Sequence, residues 1–122
     1  VNIRNGVEEK NAIVEGFEVF IEDHGILTAY LYLDYGEGSH QGFGGYALQS
    51  PAHPGALNAA GIFIRRVLEI CEVDRVSECA GKTVRARASF SGVEAIGHVV
   101  KDDWFCPKEE FARLRERSGV DT

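Results

Sequence analysis

A membrane-spanning helix is not expected from this 122-residue sequence, because it contains no run of about 18 apolar residues. The Val1 to Lys10 segment is polar and charged, unlike an apolar signal core, so neither export by the usual route nor membrane insertion is expected. A Pro, Ser or Gly-rich linker is also lacking, which points to one domain over 1–122, with 1–10 and 118–122 loosely ordered. Cysteine is sparse. Cys71, Cys79 and Cys106 are odd in number and widely spaced, which fits neither a disulfide framework nor a C-x-x-C metal knuckle. A reducing, cytoplasmic setting follows. Positive charge is in deficit, with 13 Lys and Arg against 19 Asp and Glu, a formal net charge of −6. Such a surface repels a polyanion, and Arg85 with Arg87 are too few to form a basic patch, so nucleic acid is not an expected partner. Acidity suits solubility, a basic protein surface or a bound cation.

Hydrophobic residues are plentiful at 44%, including seven Phe, four Tyr and one Trp, enough to build a core. From Asn11 to Glu22, Ile13, Phe17, Val19 and Ile21 fall mainly at alternate positions and predict a strand. Asp23-His24-Gly25 reads as a turn with Gly25 at positive φ, and Ile26 to Tyr35 as the returning strand. In that strand Leu27, Ala29, Leu31 and Leu33 share the core face, and Thr28, Tyr30, Tyr32 and Asp34 the other. Gly36 to His40 is a turn, and Gln41 to Gln49 a glycine-broken third strand. Ser50 to Gly55, with its two prolines, reads as a loop. The spacing of Ala60, Phe63, Ile64, Val67, Leu68 and Cys71 predicts a helix from Leu57 to about Glu72, with Arg65, Arg66, Glu69 and Glu72 on its polar side. A fourth strand runs to Phe90, Ser91-Gly92 marks a hairpin, and Val93 to Lys101 returns with Ile96, His98 and Val100 on one face. Pro107 opens a last helix, whose first turn carries Glu109 and Glu110 and whose later turns carry Arg113, Arg115 and Arg117. The expected fold class is α+β: an antiparallel sheet of about five strands in β-β-β-α-β-β-α order, the central helix packed on one face.

The most unusual local composition is Gly36 to Tyr46, where bare backbone can approach a ligand. It opens no helix and holds no Lys, so it is neither a phosphate loop nor a dinucleotide fingerprint, and a bent or bulged edge strand after a turn is the favoured account of its glycines. The histidines His24, His40, His53 and His98 sit at no ligand spacing, so neither a metal site nor a cofactor is assigned, and His98 reads as an interior histidine. Trp104 is either a buried staple or an exposed interface anchor. No nucleophile elbow and no zinc-protease motif is present, and no catalytic residue is assigned. The residues singled out for ligand or partner binding are Asp23, His24, Tyr30, Tyr32, Asp34, His40, Gln41, Gly42, Gly44 and Trp104.

The strings Phe20-Ile21-Glu22-Asp23-His24-Gly25-Ile26-Leu27-Thr28, Leu33-Asp34-Tyr35-Gly36, Gln41-Gly42-Phe43-Gly44-Gly45-Tyr46 and Ile96 to Phe105 resemble a family of small phage and prophage proteins of unassigned activity. The resemblance runs from about Asn11 to Phe111, with a shorter segment at Ser50 to Leu57. It implies a virus-derived accessory protein acting in the cytoplasm of a bacterial host. The resulting expectation is a non-enzymatic binding protein, a counter-defence inhibitor that engages a host protein or sequesters a small nucleotide ligand, with homo-oligomerisation open. In the nucleotide version Arg85 or Arg87 assists. The alternative is a metal-assisted hydrolase of a phosphate ester or nucleotide using His24, His98, Asp34 and Asp102.

Overall fold

The computed structural model describes residues 3–4, 6–49 and 58–118. The expected Ser50 to Gly55 loop, with His53, and the tail 119–122 lie outside the described residues. In chain order the elements are β1 (Ile3–Arg4), β2 (Val7–Ile21), β3 (Leu27–Gly36), β4 (Ser39–Gly44), α1 (Asn58–Cys71), a 3-10 turn (Val76–Glu78), β5 (Thr83–Ser89), β6 (Gly92–Gly97), β7 (Trp104–Phe105) and α2 (Pro107–Ser118). The expected α+β architecture is present, and the five expected strands are joined by the short β1 and β7. Every pairing is antiparallel, in the order β4-β3-β2-β5-β6-β7 with β1 also on β2. The segment read as loose, 1–10, includes residues of β1 and the first four of β2, which pair with one another and with β5.

Strand β2 is longer than its apolar pattern suggested and changes phase midway. A register shift between Val14 and Gly16 inserts Glu15 as a bulge. Before the bulge Ala12 and Val14 are buried; after it Phe17 is, while Ile13 is 50% exposed. An uninterrupted two-residue period put Ile13 and Phe17 on one face, and the extra residue is why they part. Three hairpin-linked strands, β2, β3 and β4, are followed by β5 lying beside β2, the spatial order of a Greek key. The sheet coils so far that β4 approaches β6 without sharing a ladder, giving a partly open five-stranded barrel.

Helix α1 packs one face against the sheet, with Phe63, Val67 and Ile70 buried and Gly61, Arg65 and Glu69 turned to solvent. Phe63 is the hub of that core: its ring lies 5.5 Å from Phe43, 5.4 Å from Phe105, 6.3 Å from Phe17 and 6.2 Å from Tyr46. Such aromatic pairs contribute about 0.5–1.5 kcal/mol each beyond area burial. Cys71 and Cys79 are buried free thiols, and burial pushes Cys71 up to about 12, away from reactivity.

Three boundaries differ from the sequence reading. Strand β4 ends at Gly44 because Gly44 and Gly45 both take positive φ (135° and 80°), and the chain rejoins β3 only at Leu48 and Gln49. The β5–β6 loop is Phe90-Ser91, closed by the Ser89–Gly92 pair, so Phe90 stands at a hairpin tip, fully exposed, and not in the strand. Strand β6 stops at Gly97, since the His98 amide bonds to the Asp103 carbonyl at 2.9 Å and turns the chain into β7. Val100, expected beside Ile96, is consequently 80% exposed.

Candidate binding face on the outside of the barrel

The register of β2, β3 and β4 decides which side chains share the outer face. Glu18 pairs with Tyr30, Gly16 with Tyr32, Tyr32 with Gly42 and Asp34 with His40. Side chains at such positions project to the same side. Phe20, Tyr30 and Tyr32 therefore form a ladder, with rings 6.2 Å and 5.9 Å apart and interplanar angles of 16° and 17°. Tyr32 is exposed at its end and donates its hydroxyl to Glu18 Oε1 at 2.7 Å. That hydrogen bond, followed by burial and the nearby Glu18 charge, raises the Tyr32 phenol above its ordinary range, so it stays protonated at neutral pH. Thr28 shares this face yet is buried, and its Oγ1 has no hydrogen-bond partner.

The glycines of β4 have a packing reason. A Cβ at Gly42 would lie 3.2 Å from the Tyr30 ring, and one at Gly45 would overlap the Tyr30 hydroxyl. The Tyr30 ring lies on the glycine backbone and fills the space that a ligand would need. Gln41 is likewise engaged: its Oε1 accepts from the Tyr35 hydroxyl at 2.7 Å and its Nε2 donates to the Ser89 carbonyl at 2.9 Å. It ties β4 to the end of β5 across the barrel. Tyr35, half-buried there, is pushed up to about 12 by burial, with Lys10 Nζ 4.3 Å from its ring centre.

Beside Gln41 the barrel opens into a mouth of about 410 Å³, whose rim includes Lys10, Tyr35, Ser39, His40 and the exposed Phe90. His40 also faces two carboxylates, its Nδ1 lying 3.1 Å from Glu15 Oε1 and 3.9 Å from Asp34 Oδ1. The Gly36 amide donates to Asp34 Oδ1 at 2.8 Å. Neither Glu15 nor Phe90 was singled out in the sequence. Glu15 meets His40 only through the bulge, and Phe90 was read as the last residue of the fourth strand.

Asp23 and His24 are exposed in the β2–β3 turn, where Glu22 accepts the amides of His24 and Ile26. This turn and Asp34 sit at opposite ends of β3, seven residues of strand apart, roughly 20 Å. Trp104 lies across the sheet, half-buried, with its ring over Gly97, where a Cβ would come within 2.6 Å. The guanidinium carbons of Arg85 and Arg87 lie 4.8 Å and 3.8 Å from its ring centre. Trp104 is thus neither a core staple nor an open anchor. Arg85 donates to the carbonyls of His98 (2.8 Å) and Lys101 (2.7 Å) and to Glu9 (3.1 Å), so it is committed within the fold.

His98 is buried. Its Nδ1 accepts the amides of Val100 and Lys101 at 3.0 Å and 2.9 Å, which leaves the ring hydrogen on Nε2, 3.0 Å from Glu72 Oε1. The residues gathered on one face are Tyr30, Tyr32, Asp34, His40 and Gly42; Asp23, His24, Trp104 and His98 are placed elsewhere. No helix among the described residues is long and apolar enough to cross a membrane. Fold and surface together define a small Greek-key barrel with an acidic, aromatic outer face. Comparison with protein-family models, with curated proteins and with solved structures finds no match.

Proposed function

We propose that this chain is a non-enzymatic, phage-type accessory protein that binds a basic surface of a host protein in the bacterial cytoplasm, in a counter-defence role. The observation that carries this reading is the Phe20–Tyr30–Tyr32 ladder on the outer face, edged by Glu15, Glu18 and Asp34. Tyrosine at the centre of a patch is a frequent source of binding energy, and a one-sign rim steers an oppositely charged partner. Phe90, fully exposed beside the mouth, supplies a second anchor. By fold-level analogy alone, small Greek-key barrels use the face of the corresponding strands for ligands. The phage assignment rests on the sequence resemblance.

The nucleotide-sequestering version has less support. The Tyr30 ring covers the β4 backbone, and Arg85 is bound within the fold while Arg87 lies over Trp104 and 3.8 Å from Glu9. The hydrolase reading lacks a gathered site, since Asp34 and His24 lie at opposite ends of β3 and His98 is buried against Glu72.

Affinity capture from a bacterial lysate tests the proposal. The tagged wild type is expected to retain a protein that is released by raised salt and lost with Glu18→Lys, Tyr32→Ala or Phe90→Ser. Capture at background level, or capture indifferent to all three substitutions, refutes it.

A further inference from the structure

We propose that Glu15, Asp34 and His40 form a binding site for one divalent transition-metal ion, with Zn²⁺ the best fit. The three residues come from β2, β3 and β4, and each offers one donor atom, all within 4.8 Å of one another. Donors at about 2.0–2.2 Å from a tetrahedral ion lie about 3.4 Å apart. The 3.1 Å and 3.9 Å separations from His40 Nδ1 bracket that value. The Glu15 and Asp34 donors lie within the same 4.8 Å of each other, and side chains exposed by 44%, 38% and 48% have room to turn toward a common ion while leaving a fourth position to water or a partner's donor.

The backbone holds these donors in place. Cross-strand pairing sets Asp34 opposite His40, and the bulge between Val14 and Gly16 delivers Glu15. The Gly36 amide bonded to Asp34 Oδ1 orients that carboxylate, as outer hydrogen bonds commonly do for metal ligands. One imidazole and two carboxylates favour a first-row ion such as Zn²⁺ over Ca²⁺, which takes six to eight oxygens. Two adjacent carboxylates on a chain of net charge −6 also gain from a cation between them. This site shares Glu15 and Asp34 with the acidic rim of the proposed partner surface, but it requires no partner to bind its ion. It lies beside Tyr32 on the same face, where a bound ion would join β2, β3 and β4.

Isothermal titration of the full, chelator-stripped chain with Zn²⁺ decides the matter. One ion per chain is expected, with affinity weakened at least tenfold by Asp34→Asn or Glu15→Gln and abolished by His40→Ala. His24→Ala and His53→Ala should bind as wild type, millimolar Ca²⁺ should not compete, and Zn²⁺ should shift the His40 imidazole resonances in NMR spectra. Thermal melts of the metal-free variants verify that each is folded. Binding below a tenth of an equivalent, unaltered binding by folded His40→Ala, or loss of binding with His24→Ala or His53→Ala, overturns the site and identifies the His40 contacts as ordinary ion pairs. Failure of the lysate capture with Zn²⁺ binding intact would remove the partner and leave the metal site standing.

Discussion

Gly97 and Gly61 show how one residue type answers to opposite demands. A Cβ at Gly97 would come within 2.6 Å of the Trp104 ring, whereas at Gly61, exposed in α1, it would meet nothing within 4 Å. Gly97→Ala must displace an indole packed against Arg87, and overpacking of that kind costs about 1–3 kcal/mol. Gly61→Ala removes unfolded-state freedom at a helical position and should stabilise by about 0.4–1 kcal/mol. Urea unfolding of the two variants checks both signs, and equal effects would contradict the packing assigned to Trp104. From the sequence, the Gly36 to Tyr46 glycines stood out as unusual, but their reason did not. Tyr30 lies 12 residues before Gly42, and only the β3–β4 register brings its ring onto that backbone.

At the scale of elements, the end of α1 is held in an uncommon way. Glu72 takes φ 56°, the left-handed conformation that usually falls to glycine after a helix. Its amide bonds to the Glu69 carbonyl at 3.1 Å and that of Val73 to the Leu68 carbonyl at 3.0 Å, the paired bonds of a Schellman ending. The side chain then reaches His98 at 3.0 Å and Lys101 at 3.4 Å. These two hydrogen bonds, that from His98 foremost, lower the Glu72 pKa. A depressed carboxylate stabilises the folded state above its ordinary range near 4.5, and this contribution is lost as pH falls through the lower folded value. Glu72→Gln should therefore melt below wild type at pH 6, with the gap narrowing by pH 3. An equal gap at both pH values would show that charge is not what Glu72 contributes. Helical periodicity placed Glu72 on the solvent side of α1, and nothing in that pattern could reveal a partner 26 residues further on.

For the whole molecule, Arg66 joins the two helices to the last strand. It was read as part of the polar helix face, yet it donates to Glu69 (2.7 Å), Asp103 (2.8 Å), Glu110 (3.4 Å) and the Trp104 carbonyl (3.1 Å). Burial opposes its charge, but the bonds to Asp103 and Glu69 outweigh that and hold the guanidinium firmly protonated. Arg66→Met leaves those acceptors without their cation. Hydrogen bonds to charged groups contribute about 1.5–3 kcal/mol, so a loss of that order is expected in chemical denaturation. Hydrogen exchange should show α2 and β7 losing protection first, and unchanged protection there would mean that apolar contacts, such as the Tyr46 and Phe111 rings meeting edge-on at 5.9 Å, hold α2 without Arg66.

Near neighbours in the chain suffice for the two hairpins, both helices, the Gly25 turn and the α+β class. Those follow from side-chain period, turn chemistry and proline, which act over a few residues. Contacts between distant segments set the remainder. A single bulge at Glu15 turned half of β2 over, the coiling of the sheet brought β4 to β6, and pairing across three strands assembled Glu15, Asp34 and His40. Each of these depends on register between segments far apart in the chain, and a two-residue period carries no information about register.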